Sequence, residues 1–426
     1  MKLIISIYFL ISFSSLQILY SQDDKLKEMF YKNEILSAKV SVKLALEQNT
    51  ELLKFKEQIN QKRAEKYINY GINSPIISYM QEGIPDYNSS IFSEKRFTVT
   101  QSIEFPYYSY LKIIRTDKEI QAMEIEYEWR KKKIISETKL AYAKIIYWLE
   151  ILRLRNEIKN ISNNLYEIVK VKFDFGQSNL IDLLNAELLK LEAENDYNEG
   201  IKNLMLARYD LFYLIGLDTD KQKYSISFSD SLKYFDFNIS QPEILSKLEK
   251  TYEYQSLKKY EETYNYKISE SWASLLPKID INLYKQNLLD GYNYSGFEIG
   301  ISLPLWFGLD KQTQIRQAQS IYDEFQITLR DSRLKIKKEI EHSWHSYEIS
   351  KKTIENYKFN ISDKSQKLLE LTLEAYQLGN IDLLNFLNIQ KSYINSKIRY
   401  LDALYDYYQQ VIQLEKFLEN EVVFID

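Results

Sequence analysis

Phe173-Asp-Phe-Gly176-Gln177-Ser-Asn179-Leu-Ile-Asp182-Leu-Leu-Asn185-Ala-Glu187 returns later in the chain as Tyr376-Gln-Leu-Gly379-Asn380-Ile-Asp382-Leu-Leu-Asn385-Phe-Leu-Asn388-Ile-Gln390. Setting Gly176 against Gly379 gives an offset of 379 − 176 = 203, and without a gap Leu180 then meets Leu383, Leu184 meets Leu387, Tyr197 meets Tyr400 and Leu211 meets Leu414. The chain is therefore an internal duplication, and the period sets the architecture before any local element is assigned.

Each glycine closes a long uninterrupted segment. Tyr107 to Phe175 and Leu309 to Leu378 contain neither Gly nor Pro, the two residues that most often end a helix. A helix of about 65 residues at about 1.5 Å rise each is roughly 100 Å long, far beyond the usual globular helix. Gly176 and Gly379 read as C-terminal stops, where glycine takes the left-handed conformation at little cost. Asn179 and Asp382 follow as N-caps of the returning helices. The repeated unit is a long helical hairpin.

Composition narrows the class. With 56 basic and 60 acidic residues the net charge is −4, so the balance implies no basic face for nucleic acid. Absence of cysteine rules out disulfides, thiolate metal sites and a lipid-bearing N-terminal cysteine. The 36 tyrosines carry little weight as a functional signal, because Lys, Asn, Ile and Tyr are all abundant, as an AT-rich genome produces. Met1-Lys2 followed by an apolar run and small Ser21 has the form of a secretory signal peptide over residues 1–21; a single anchoring helix is the alternative, since Leu3 to Tyr20 approaches spanning length.

Between the helices the texture changes. Phe97, Val99 and Ile103 alternate with Thr98, Thr100, Ser102 and Glu104 in one repeat. In the other, Ile279, Ile281 and Leu283 alternate with Asp280, Asn282 and Tyr284, and Phe297, Ile299 and Ile301 with Glu298, Gly300 and Ser302. A period of two predicts strands with one apolar and one wet face. Ile76 to Gln81 supplies the fourth strand. The layout is a first helix–strand–strand–helix repeat over 22–217, a polar connector over 218–241 and a second repeat over 242–426. Such strands belong either to a soluble sheet packed on a core or to a barrel facing lipid. The export signal and the lack of a later spanning helix favour the barrel, the remaining lipid-compatible structure. Four strands cannot close alone, since single-chain barrels begin at about eight, so several copies share one.

These residues resemble the TolC-like outer-membrane efflux proteins over essentially the whole mature chain. The specific elements are the two Gly-x-x-[Asn/Asp] turns followed by Leu-x-x-x-Leu, Leu276-Pro277 before a strand, Thr98-Val-Thr-Gln101-Ser-Ile-Glu-Phe-Pro106, and Ser302-Leu-Pro304-Leu-Trp-Phe307. Asn73-Ser-Pro75 with the Gln101 motif is similar to the heavy-metal and cation efflux branch. The resemblance implies a mainly α fold with a small β part, in which duplicated helical hairpins form a periplasmic α-barrel. Four strands per chain enter a trimeric 12-stranded transmembrane β-barrel. It implies a passive exit duct in the outer membrane lipid, without catalytic residues or cofactor. The homotrimer docks on a periplasmic adaptor and an inner-membrane pump.

Adaptor contact carries over to the tips, onto Gly176, Gln177 and Asn179, and Gly379, Asn380 and Asp382. The family often closes its tube with acidic side chains six and nine residues after the second glycine; here these positions are Asn385 and Asn388, while the first repeat offers Asp182 and Asn185. Three copies of Asp182 would form a negative ring favouring cations. Alternatively Asp182 and Asp382 only support helix starts. His342 and His345 share a helix face but bring no third ligand, which favours a structural role. Two rival functions stay open: a channel for one-step protein secretion, and an exported coiled-coil scaffold or adhesive protein. The scaffold leaves the four strands unexplained.

Overall fold

Proline and glycine punctuate the fold where the alternating segments meet the helices. A computed structural model describes residues 36–83, 92–218, 231–289, 291–303, 308, 310–360 and 362–418. The signal segment, much of the connector, Pro304 to Phe307 and the chain beyond Leu418 lie outside these residues. In order come α1 (Ala38–Gln48), α2 (Thr50–Ile68), β1 (Ile76–Glu82), β2 (Glu94–Ile103), α3 (Pro106–Asp174) and α4 (Leu180–Leu214). The second half adds α5 (Gln241–Ser246), a 3₁₀ turn (Leu248–Lys250), α6 (Tyr252–Ala273), β3 (Lys278–Leu288), β4 (Asn293–Ser302), α7 (Lys311–Asn360), α8 (Ser362–Gln377) and α9 (Leu383–Glu415).

Two details differ from the sequence reading. The first helical segment is broken at Asn49, whose buried side chain donates 2.9 Å to the Leu214 carbonyl at the end of α4. Strand β2 stops at Ile103, because the Glu104 N–H leaves the ladder for the Gly71 carbonyl at 3.1 Å.

The described residues divide into two compact units, drawn from Met1–Thr50, Lys131–Ser246 and Glu339–Asp426, and from Glu51–Arg130 and Lys247–Lys338. Each unit takes stretches from both repeats. The second unit holds the antiparallel sheet in the order β1-β2-β3-β4, so β2 and β3 join the two hairpins and β1 and β4 are its edges. Ile103, Ile279 and Ile301 share one cross-strand row, and Ile77, Val99, Leu283 and Phe297 another. The opposite face carries Thr100, Asn282 and Glu298 in one row, and Ser102 bonded to Asp280 in the next. On that face Tyr284 lies over Gly296, where a Cβ would collide with its ring. Phe297, Ile299 and Ile301 are 72%, 61% and 64% exposed. Below the sheet α2 packs Phe55 and Ile59 against Ile120 of α3.

In the first unit the helices bury long apolar rows, with Tyr142, Ile145, Ile146, Leu211 and Tyr407 fully enclosed. Lys139 and Glu415 pair at 2.7 Å with both side chains buried, tying α3 to α9. Residues 231–240 have no regular structure, yet their alternate backbone groups are satisfied by aromatic side chains. Tyr408 Oη donates to the Lys233 carbonyl at 2.8 Å and accepts from its N–H at 3.3 Å. Tyr407 Oη donates to the Phe235 carbonyl at 2.8 Å and accepts from the Phe237 N–H at 3.2 Å. Tyr347 Oη donates to the Phe237 carbonyl, and Trp344 Nε1 to that of Ile239 at 3.3 Å. The period of two is that of a strand edge, with side chains replacing the neighbouring strand.

Candidate functional site

Both tips are built alike, as the duplicated stretch predicts. Gly176 has φ 70° and Gly379 φ 78°. The Gln177 N–H reaches back to the Lys172 carbonyl at 2.7 Å and the Gly176 N–H to Phe173 at 2.9 Å; Asn380 to Ala375 at 2.8 Å and Gly379 to Tyr376 at 3.1 Å repeat the pattern. These paired bonds satisfy the last carbonyls of a helix around a left-handed glycine. Three residues on, Asn179 Oδ1 accepts from the Asp182 N–H and Asp382 Oδ1 from the Asn385 N–H, each at 2.8 Å. Those side chains replace missing intrahelical acceptors. A Cβ on either tip glycine would meet nothing within 4 Å, so glycine is dictated there by φ and not by crowding.

The two tips are held side by side. Leu165, Val169 and Ala186 of the first hairpin share a core cluster with Leu369, Tyr376, Leu383, Phe386 and Tyr393 of the second. Lys172 Nζ donates to the Tyr376 carbonyl at 2.7 Å and lies 4.4 Å from that ring's centroid. Burial raises the Tyr376 phenol above its ordinary pKa, and the charge of Asp182 adds to the rise.

Above this core the predicted residues are laid out on the surface. Gly176, Gln177, Asn179, Gly379, Asn380 and Asp382 are exposed, as are Asn185, Asn385 and Asn388, while Asp182 is half-buried and accepts from Ser178 Oγ at 3.2 Å. Phe175 and Leu378, each preceding its glycine, are both 77% exposed. On α4, Ile181, Leu184, Leu188 and Leu191 form an exposed apolar stripe at intervals of three, four and three residues, the spacing of a coiled-coil seam. Its leucines are visible in the sequence, but which face they occupy depends on what α4 packs against. His342 and His345 are exposed on α7, with the His345 ring 5.2 Å from Trp344. Among the described residues no group of three side chains could hold a metal ion, and no helix is long and apolar enough to cross a membrane.

Residues 251–419 match the Outer membrane efflux protein family. None of the curated proteins compared with the chain matches it. Among solved structures, a membrane protein from Pseudomonas aeruginosa superposes with a TM-score of 0.74 at 16% identity, over 92% of each chain. The outer membrane protein VceC from Vibrio cholerae gives 0.73 at 14% identity, over 89% of this chain and 95% of its own. The CmeC outer membrane channel of Campylobacter jejuni gives 0.72 at 17% identity, over 89% and 85%. The match to that family thus falls within the second repeat, and the chain shares the fold of these outer-membrane channels.

Proposed function

We propose that three copies of this chain form a passive exit duct, joined edge to edge in one 12-stranded barrel and continued by their helical hairpins. The observation that carries the reading is the sheet. Its apolar face is exposed and its edges, β1 and β4, have no partner strand among the described residues. In lipid an open edge leaves N–H and C=O groups unsatisfied at several kcal/mol each, and four strands are about half the smallest closed barrel. Joining β4 of one copy to β1 of the next satisfies both conditions. The seam Ile181-Leu184-Leu188-Leu191 on α4 supports the same assembly at the hairpin end, because it offers another helix an apolar stripe.

At the tips, Gly176 to Asn179 and Gly379 to Asp382 receive a periplasmic adaptor, which connects the duct to an inner-membrane pump. Their open left-handed glycines and the exposed Phe175 and Leu378 support this reading. Three Asp182 carboxylates line the constriction near that end, with Asn185, Asn385 and Asn388 completing its polar wall. Repeats over 22–217 and 242–426, joined through 218–241, are the units from which the duct is made.

The test uses the cysteine-free background. Single cysteines are introduced into β1 and β4 on the wet face, at Ser78 and Glu298 and at neighbouring wet positions. Bifunctional cross-linking in native membranes should produce covalent trimers from some β1–β4 combinations. Uniformly monomeric product, with the protein present and membrane-bound, would overturn the shared barrel.

A further inference from the structure

We propose that Lys95 and Lys285 form a docking surface for the phosphate-bearing headgroups of anionic lipid. The proposal deepens the barrel reading above and rests on it. Charge is divided unevenly between the faces of the sheet. The continuous antiparallel register puts all four strand carboxylates, Glu82, Glu94, Asp280 and Glu298, on the wet face. The lipid-directed face carries no acid in its described strand residues, and its only charges are Lys95 and Lys285.

Their position along the strands is equally specific. From Phe297 to Leu303 the outward residues of the β4 segment are apolar, six steps or about 20 Å at ~3.3 Å each, close to the ~25 Å apolar band of membrane barrels. The next row, toward the hairpin loops, holds Tyr79 and Phe97 beside Lys285. One row further comes Lys95, opposite Asn287. An aromatic row that already holds one lysine, with the second lysine one row beyond it, is the order of side chains expected where hydrocarbon gives way to headgroups.

Lys95 and Lys285 are diagonal neighbours on adjacent strands, a spacing of about 7–8 Å. Neither forms an ion pair among the described residues. The Lys95 ammonium lies 3.9 Å from the Phe92 ring centroid, and Lys285 is exposed. Two like charges so close, with the sheet's carboxylates on the far side, are stabilised by an anion from outside the protein. The occupant consistent with a lipid-facing surface is a headgroup phosphate, and three copies present the pair three times.

The experiment is native mass spectrometry of the purified full-length trimer in neutral detergent, titrated with phosphatidylglycerol or phosphatidylcholine. A lysine near an anionic lipid surface contributes about fivefold in binding. Lys95→Gln and Lys285→Gln should each lower phosphatidylglycerol retention about fivefold, and the double variant about 30-fold. Phosphatidylcholine retention should not change. Lys278→Gln, on the wet face, should behave as the parent, and inorganic phosphate at the lipid's concentration should not compete. Unchanged phosphatidylglycerol retention in the double variant, an equal loss in Lys278→Gln, or displacement by free phosphate would each overturn the proposal. Ile299→Trp separates this from the barrel reading. If brominated lipid quenches its fluorescence while the lysine variants bind normally, only the headgroup proposal fails. Absence of quenching defeats both.

Discussion

Replacing Ile299 by Arg puts a charge at the middle of the outward apolar face, between the rows of Phe297 and Ile301 and directly across from Ile281. The side chain there is 61% exposed in the chain, so the substitution creates no overpacking, and its cost is set by the surroundings. In hydrocarbon an arginine at the bilayer midplane costs about 2–4 kcal/mol. Three copies bring the penalty to roughly 6–12 kcal/mol per trimer. Asn282→Arg is the matched control, because Asn282 lies on the wet face opposite Glu298, and a cross-strand pair of opposite charges is favourable by about 0.2–1 kcal/mol. The two variants should therefore shift stability in opposite directions. Urea titration of trimers folded into vesicles, followed by gel mobility of the folded form, measures both. Equal losses, or a larger loss for Asn282→Arg, would show that the faces of the sheet are assigned the wrong way round.

Gly379→Trp should leave trimer and membrane level intact while abolishing export and adaptor cross-linking, because left-handed strain of about 1–2 kcal/mol is survivable whereas an indole in the docking contact is not; Gly176→Trp should do the same more weakly. Normal export by Gly379→Trp at normal protein level would reduce that glycine to a helix terminator. Gly216→Ala should destabilise more than Gly379→Ala in the same unfolding assay, since both have positive φ but only at Gly216 would the Cβ lie 2.7 Å from a backbone oxygen, that of Gln48. Tyr407→Phe keeps the ring and removes the hydroxyl that serves Phe235 and Phe237, which should cost about 1–3 kcal/mol without changing tip cross-linking. Asn385→Asp should leave docking unchanged and raise cation over anion conductance in planar bilayers, as a further carboxylate in a channel ring does.

The elements most legible in the sequence were those specified locally. A left-handed glycine, an N-cap three residues later and a period of two need only their neighbours, so the tip turns and the faces of β3 and β4 could be read directly. What escaped was specified at long range. Asn49 stands in an otherwise helical pattern, and its break is explained by the Leu214 carbonyl 165 residues away. Gly216, which no motif singles out, has positive φ and lies against the Gln48 backbone, a contact that only the fold creates. The tyrosines, set aside as a compositional bias, include Tyr347, Tyr407 and Tyr408, whose hydroxyls secure the connector. Nothing in their spacing announces this, because the groups they bind lie more than 100 residues earlier in the chain. The outward position of Lys95 and Lys285 was implicit in the alternation but acquires meaning only when the register brings the strands together.

That connector also acts as a register pin. Tyr347 belongs to α7, Tyr407 and Tyr408 to α9, and all three grip one extended segment through bonds confined to residues 233–237. If α7 slid past α9 by a single residue, about 1.5 Å, hydrogen bonds of ordinary length could not all survive, since they tolerate only a few tenths of an ångström. Axial slippage at this level is therefore opposed by discrete bonds as well as by apolar packing, which can slide more smoothly. Motion that reshapes the far end of the second hairpin would have to pivot about this seam or bend beyond it, leaving the residues beside the connector as the fixed point of the movement.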